Sequence, residues 1–408
     1  MAPNRDQGHY PRNVPVSVMW TKEQHIQVWD YFLEKFATIQ SRFPAPIDRF
    51  EEEGKAKMQK IVMRMIERRA PITLVLPSFP FKSPNSTDKV LGKLPDRAEE
   101  LSMERLERFC REVEEAYTPG CNMVIFSDGR VFNDLLGVSL SDLRAFENEM
   151  QAMVKEAGHT HVYFDSMDNY VKNVDDPIPE ILERFNVLHI DFDARIKAEP
   201  AIRNTYCSFC KFLERDLAPQ WVGMSRSATK RSCGKIAKQM MHRNVGFSAL
   251  IDESYPDALR ISIHQYNNAG PKFGIHLIRQ KSGKPRTPWH SVVCEDLDGT
   301  PHTMDLKDVD TDKYDLLALR YHEPWGPEKT KMHPTYVSSV GYDPASNQKD
   351  EDADFVTETL QQRLYSKEFC YWHRWVKDEF VIVDNISQLH ARSKLGMGGR
   401  HMRRIHFC

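Results

Sequence analysis

The stretch "ITLVLP" (residues 72–77) is a short, continuously apolar run rich in β-branched residues, which is typical of a strand buried on both faces of a parallel sheet. Two similar runs follow it, "NMVIFSD" (122–128) and "THVYF" (160–164). Helical patterns at about 99–116 and about 139–157 separate the three runs. This β-α-β-α-β order predicts an α/β protein with a Rossmann-like, mostly parallel sheet and helices on both faces.

The sequence on either side of this core continues the same architecture. Helical patterns at about 23–42 and about 51–69 precede the first strand. Further along, "ALRISIH" (258–264) and "KFGIHLI" (272–278) predict two more strands that lie beside each other.

Composition limits the class of protein. The chain has 408 residues, 40% of them hydrophobic and 28% charged, which is typical of a globular protein, and its length predicts two units of unequal size. With 56 basic and 58 acidic side chains it is not expected to bind nucleic acid. No apolar run approaches the roughly 20 residues of a membrane span, and the N-terminus lacks a signal-peptide core. The eight cysteines form no framework pattern, so we expect a cytoplasmic protein that does not bind membranes.

Polar side chains follow the first two predicted strands, where ligands of open α/β sheets bind. Lys82 and Asn85 lie in the proline-rich loop 77–96 after the first strand. Asp128 and Arg130 follow the second strand in the turn Asp-Gly-Arg. A turn of this composition is also compatible with solvated charges that bind nothing. Two successive strand ends with such groups favour a binding site.

A basic helix is predicted after residue 224. It begins with Arg226 and Lys230, and no acidic residue occurs between Asp216 and Asp252. Ser225 or Ser227 could cap this helix, and a capped helix start with basic side chains is a natural phosphate site. The alternative is a solvated basic face, although such faces normally mix both signs of charge.

A fourth group of polar residues lies on the last two predicted strands. Arg260, Ser262 and His264 alternate along one strand and should therefore face the same side. Lys272 begins the next strand, and His290 follows in "TPWH" (287–290). Single histidines are more often structural than catalytic, but this combination favours a cleft with acid–base groups.

These four motifs together resemble the pyoverdine/dityrosine biosynthesis family of isocyanide synthases. The resemblance rests on "LPSFPFKSPN", "FSDGRVFNDLLGVS", the basic helix and "YPDALRISIH…KFGIHLI…TPWH", and it covers about residues 50–320. It implies a Rossmann-like fold and a reaction without metal or other cofactor. The amine of an L-amino acid, typically tyrosine or tryptophan, condenses with ribulose 5-phosphate, and the ketone carbon of the sugar becomes the isonitrile carbon in a pathway of secondary metabolism.

The resemblance and the residues together predict a site. Proton transfers require acids and bases near neutral pH, and the candidates are His264, Asp128 and His290. We expect Arg226 and Lys230 to hold the sugar phosphate, Arg130 or Arg260 to hold the amino-acid carboxylate, and Lys82 to orient the sugar hydroxyls. The predicted substrate-binding set is completed by Asn85, Ser262 and Lys272.

Two other functions remain compatible with the sequence. The chain could be a non-catalytic relative that binds an amino-acid conjugate or supports a partner oxygenase, although a pseudoenzyme should have lost some of the four motifs. Alternatively, the same cleft could formylate or acylate the amine of an amino acid, which would change only the product.

The C-terminal stretch "DNISQLHARSKLGMGGRHMRR" (384–404) resembles the end of a taurine-dioxygenase-type, 2-oxoglutarate-dependent iron oxygenase. In that family a histidine, here His390, is the last of three iron ligands, and arginines, here Arg400 and Arg404, bind 2-oxoglutarate. The remaining ligands should form a His-x-Asp pair, and the chain contains only His189-Ile190-Asp191, far upstream.

We therefore predict a synthase-like domain at 1–320 and a truncated oxygenase-like tail at 321–408. The tail should form a short mixed extension without iron. A separate downstream oxygenase or P450 is then expected to act on the isonitrile.

Overall fold

The computed structural model describes residues 20–316 apart from 172–174, 265–266, 281–285, 296–299 and 310–314. The predicted tail at 321–408, with His390, Arg400 and Arg404, lies outside these residues, as does the predicted mixed extension.

The centre of the molecule is a five-stranded sheet. Its strands are β1 (Ile72–Pro77), β2 (Cys121–Ser127), β3 (Val162–Ser166), β4 (Leu259–Ser262) and β5 (Lys272–Gly274). Their order is β3-β2-β1-β4-β5, and every neighbouring pair is parallel. This order is that of the first five strands of a Rossmann fold, as the apolar runs predict.

Helices connect the strands. The α-helices of the described part are α1 (Lys22–Ile39), α2 (Lys55–Glu67), α3 (Arg97–Ala116), α4 (Gly129–Phe132), α5 (Leu140–Glu156), α6 (Ile178–Arg184), α7 (Phe192–Ala198), α8 (Pro200–Asp216) and α9 (Arg226–Ser254). Capping boxes begin two of them, Thr21 with Gln24 at α1 and Asp96 with Glu99 at α3. None of the described helices is long and apolar enough to cross a bilayer.

Helices cover both faces of the sheet. On one face the Phe126 ring lies 5.4 Å from that of Phe247 in α9, and Arg260 donates hydrogen bonds to the same helix. Side chains alternate along a strand, so Ser127 points to the opposite face, where its hydroxyl reaches Glu147 of α5 at 3.4 Å. The predicted arrangement of the sheet between two helical layers is thus confirmed.

A second, antiparallel sheet follows the main one and consists of β6 (Val292–Glu295), β7 (Pro301–Met304) and β8 (Asp315–Leu316). Val293 packs in a small apolar cluster with Ala98 at the start of α3. The short sheet is therefore attached to the side of the main domain, near the loop that follows β1.

The last two main strands are shorter than predicted. β4 ends at Ser262 and β5 at Gly274, so His264 lies beyond the strand and not on it. His264 is held at the strand end by a hydrogen bond of 3.2 Å from its backbone N–H to the Ser262 hydroxyl.

Candidate active site

The strand order identifies the place where a ligand should bind. From β1 the chain proceeds to β2 and β3 on one side, and later to β4 and β5 on the other. Open α/β sheets bind ligands at such a reversal, beyond the carboxyl ends of the strands. The loop after β1 and the residues after β4 border this crevice.

Asp128 lies directly after β2 and before α4. Its carboxylate oxygen Oδ1 is buried and has no hydrogen-bond partner among the described residues. Burial raises the pKa of Asp128 to about 7. The neighbouring Gly129 fits closely, because a Cβ atom there would lie 2.5 Å from the Pro80 carbonyl oxygen and 2.4 Å from a Leu143 methyl carbon. The backbone therefore fixes an acid that can take up or release a proton near neutral pH.

Arg130 is buried beside Asp128 but has partners of its own. Its guanidinium donates a 3.0 Å hydrogen bond to the backbone oxygen of Asp175 and lies 3.4 Å from an Asp168 carboxylate oxygen. In the turn after β2, Arg130 is thus buried and ion-paired, and its charge is not solvated.

Arg260 and Lys272 lie side by side on β4 and β5, in register. Arg260 is 7% exposed and donates to the Asp252 carboxylate and the Ser248 backbone oxygen of α9. Its Nε and one terminal nitrogen are buried without a partner in the described part of the chain. Lys272 Nζ lies 3.4 Å from the Ser248 hydroxyl, and burial together with the Arg260 charge lowers the pKa of Lys272. Two cations with open donors between a sheet and a helix form a niche for an anion.

His264 follows Arg260 along the chain and lies beyond the end of β4. The residue as a whole is exposed, and its imidazole has no hydrogen-bond partner among the described residues. The surrounding protein lowers the pKa of His264, and the Lys272 charge adds to this effect. The ring is therefore neutral at neutral pH and can accept a proton.

His290 is held at both ring nitrogens. Its Nδ1 lies 2.8 Å from the Thr287 hydroxyl, and its Nε2 lies 3.3 Å from an oxygen of the buried Asp216 carboxylate. Burial lowers the pKa of His290 to about 3, against the opposing effect of Asp216, and a positive charge on His264 would lower it further. His290 therefore lies close to His264, but it is a fixed, neutral ring with both nitrogens engaged. This geometry argues against the predicted role of His290 as an acid or base.

Lys82 and Asn85 do not line an open surface. The fully buried Lys82 ammonium lies 2.8 Å from Asp96, 2.7 Å from Glu99 and 3.2 Å from the Pro288 backbone oxygen, so each of its three N–H groups has an acceptor. Asn85 is 1% exposed and donates a 2.8 Å hydrogen bond to the backbone oxygen of Arg215. Sequence reasoning placed both on the substrate, whereas the structure uses them to fix the loop after β1.

Arg226 and Lys230 are exposed at the start of α9, where Ser225 caps the helix with a 3.3 Å hydrogen bond from the backbone N–H of Ala228. Lys230 lines an open groove of about 620 Å³ between α8 and α9. The other basic residues of this groove are Arg231, Lys235 and Lys238. No residue from a strand end lines the groove.

The structure thus places Arg260 and Lys272 side by side within β4 and β5, His264 just beyond the end of β4, and Asp128 directly after β2. It adds residues that sequence reasoning missed, above all Asp216. In the sequence, Asp216 was distinguished only by the absence of acidic residues between it and Asp252. Its partners lie far away along the chain.

Comparison with known proteins identifies the family of the chain. The sequence profile described as pyoverdine/dityrosine biosynthesis protein matches residues 62–317, which include all five strands of the main sheet. The chain belongs to this family.

Bacterial members of the family are similar over most of their length. The L-tyrosine isonitrile synthase of Xenorhabdus nematophila is 30% identical over 66% of this chain and 82% of that protein. The L-tryptophan isonitrile synthase AmbI2 of Fischerella ambigua is 33% identical over 58% of this chain and 71% of its own. The crystal structure of PvcA from Pseudomonas aeruginosa superposes with a TM-score of 0.61 at 26% identity, covering 71% of this chain and 98% of that protein.

Fungal members of the family are longer. Isocyanide synthase xanB of Aspergillus fumigatus is 32% identical over 69% of this chain, which spans 39% of that relative. The isocyanide synthase-NRPS hybrid crmA of the same organism is 34% identical over 62% of this chain, and only 17% of its length is covered.

A second family profile, of taurine catabolism dioxygenases, matches residues 273–406. The two matches overlap at 273–317, which includes His290 and the small antiparallel sheet. The oxygenase-like match therefore begins inside the Rossmann-like body, within β5.

The described residues do not fit the iron that such a dioxygenase would hold. Asp191 caps α7 through a 3.0 Å hydrogen bond from the backbone N–H of Ala194, and His189 is exposed beside it. Within the described ranges, no three histidine, cysteine or carboxylate side chains are grouped so as to hold a metal ion. His390 lies outside the described residues.

Proposed function

We propose that this chain is an isocyanide synthase that joins the amine of an L-amino acid to ribulose 5-phosphate and yields an isonitrile acid. The proposal is carried by the similarity to bacterial L-tyrosine and L-tryptophan isonitrile synthases over 82% and 71% of their lengths. An aromatic L-amino acid is therefore the first substrate class to test.

The reaction needs proton transfers at several steps. Attack of the amine on the sugar ketone and loss of water give an imine, and tautomerisation and carbon–carbon cleavage follow. Each step moves a proton to or from nitrogen, oxygen or carbon. Asp128, whose pKa is raised to about 7 by burial, is suited to act in both directions. His264 is neutral and has no hydrogen-bond partner in the ranges that the structure describes, and it supplies a base.

The substrates also carry two anionic groups, a carboxylate and a phosphate. Arg260 supports a carboxylate site, because its two unpartnered N–H groups match the two oxygens of a carboxylate. Arg130 fits this role less well, since Asp168 and Asp175 already engage its guanidinium. Lys272, in register with Arg260, adds a second positive charge.

The deciding experiment combines the purified chain with L-tyrosine or L-tryptophan and with ribulose 5-phosphate labelled at the ketone carbon. We expect a labelled isonitrile acid, seen by mass spectrometry and by the isonitrile stretch in the infrared spectrum. Omission of the sugar is the control. A labelled formamide or amide without isonitrile would favour formylation or acylation, and binding without any product would favour a non-catalytic relative.

A further inference from the structure

The carboxylate of Asp216, at the end of α8, joins three segments that are distant in the chain. It accepts a 2.7 Å hydrogen bond from the Ser83 hydroxyl and a 2.5 Å one from Lys89 Nζ, and His290 Nε2 lies 3.3 Å away. Asp216 is only 1% exposed. A buried carboxylate with three side-chain partners fixes their relative positions.

Lys89 is the member of this group that no role so far explains. Its side chain is 10% exposed, and its ammonium lies 6.0 Å from the centre of the Phe212 ring. The same ring contacts His290 at 5.1 Å, so Lys89 and His290 are neighbours. Burial lowers the pKa of Lys89 and the charges of Arg286 and Arg215 lower it further, whereas Asp216 opposes these effects. Without Asp216 the lysine would lose its proton more readily.

The charges around the two histidines have a definite order. The Lys272 charge acts on His264, and the Lys89 charge acts on His290. Lys89 thus lies beside His290, against the same Phe212 ring, and Lys272 is the lysine whose charge acts on His264. The proposed reaction has two anionic groups to hold, and Arg260 with Lys272 accounts for only one of them.

We propose that Lys89 presents a positive charge to the sugar phosphate, and that Asp216 is a positioning residue that keeps Lys89 protonated and beside His290. This inference rests on the proposed function, because it takes ribulose 5-phosphate as the substrate.

The test compares Asp216→Asn with the wild-type enzyme as pH rises from neutral to alkaline. Asparagine keeps the shape of the side chain but removes the charge, so the pKa of Lys89 should fall by about one unit or more. Acetylation of Lys89 by acetic anhydride at each pH, followed by peptide mass spectrometry, measures that pKa without turnover. The alkaline limb of kcat/KM for ribulose 5-phosphate should move to lower pH by the same amount, whereas KM for the amino acid should change little.

Two further variants separate charge from structure. Asp142→Asn is the matched control, because Asp142 pairs with Lys93 of the same loop at 3.1 Å on the surface, and it should leave the alkaline limb in place. In the double variant Asp216→Asn with Lys89→Arg, the guanidinium stays charged, so the limb should return towards its wild-type position. Thermal unfolding confirms that each variant is folded.

The outcomes are distinct. A lower Lys89 pKa with an unchanged alkaline limb would show that the Lys89 charge does not contribute to binding of the substrate. An unchanged Lys89 pKa would show that Asp216 does not keep Lys89 protonated. Either result overturns the inference. If the wild-type enzyme has no turnover with the sugar, the proposed function fails and the assignment of Lys89 to the phosphate fails with it, whereas the labelling still reports on Asp216.

Discussion

The strand pair β4–β5 and the start of α9 both present cations that sequence reasoning placed on the substrate, but the two regions differ in solvation. On β4, Arg260 is 7% exposed and has two nitrogens without a partner in the described part of the chain. On α9, Arg226 and Lys230 are exposed. An exposed cation keeps its water and needs no other partner, whereas a buried donor without water or protein partner is costly. Burial without a partner therefore indicates a ligand more strongly than charge alone.

The largest expected effect concerns Asp128, the buried acid after β2 whose Oδ1 has no hydrogen-bond partner among the described residues. Asp128→Asn should lower kcat by about a hundredfold to ten-thousandfold, because a positioned acid or base is lost. Any limb of the pH–rate profile near pH 7 should disappear with it. Steady-state kinetics across pH check this result, and an unchanged limb would exclude Asp128 from the proton transfers.

The same variant should be more stable than the wild type at neutral pH. The folded-state pKa of Asp128, about 7, exceeds its ordinary value, so the folded state binds the proton more tightly. Stability contributed by this group is present at acidic pH and falls as pH rises towards 7. Denaturant unfolding should show the Asn variant stabilised at pH 7 and above, and little changed near pH 4. A destabilised variant at pH 7 would mean that the Asp128 carboxylate has partners in solution.

His264→Gln is expected to lower kcat by about a hundredfold or more, since no described residue forms a hydrogen bond with the His264 imidazole. His290→Gln should have a smaller effect on kcat, because both His290 nitrogens already have partners. Single-turnover rates for the two variants decide between them. The reverse ranking would return His290 to the role of acid or base.

Arg260→Gln should raise KM for the amino acid at a cost of about 1.5–3 kcal/mol, the value of a hydrogen bond to a charged group. KM for ribulose 5-phosphate should change much less. Lys272→Met provides a comparison, because it removes the neighbouring charge but not the paired donors. A selective increase in KM for the sugar would show that Arg260 does not bind the carboxylate of the amino acid.

On the exposed side of the comparison, Arg226→Ala and Lys230→Ala test the phosphate site predicted from the sequence. If exposed, solvated cations contribute little to phosphate binding, each variant should raise KM for ribulose 5-phosphate by less than about fivefold. Added salt should reduce the effect. A selective increase of tenfold or more in either variant would restore the start of α9 as the phosphate site.

The smallest effect is expected for the exposed His-x-Asp pair. Iron(II), 2-oxoglutarate and ascorbate should change neither the product nor the rate, and His189→Ala should behave as the wild type does. Succinate formation measures the oxygenase reaction directly. Succinate that accumulates in step with turnover would show an iron site that includes residues outside the described ranges.

The strands were predictable because their signal is local. β1 coincides with its predicted range, and the ends of β2 and β3 differ from theirs by one or two residues. The prediction was weaker for β4 and β5, which lie at one side of the sheet and are shorter than their apolar patterns. His264 consequently lies in the loop and not on the strand.

The site was predictable only in part. Both site assignments stay predictions: Arg260 comes from the alternation along its strand, and Asp128 comes from the rule that ligands bind beyond strand ends. That rule could not show that Lys82 is enclosed by the carboxylates of Asp96 and Glu99. Nor could it show that Asn85 binds the Arg215 backbone. A lysine in a loop has the same sequence signature whether its ammonium faces a substrate or a buried acid.

The sequence by itself determined the order of strands and helices and the family, because apolar periodicity and short motifs are properties of neighbouring residues. Only the tertiary structure decided which charged groups are satisfied. Asp216 reaches Lys89 across 127 positions of the chain, and such a pairing depends on how the loops meet above the sheet. The charge of a side chain follows from the sequence, whereas its burial and its interaction partners are set by the fold. The chemistry of this site depends on all three.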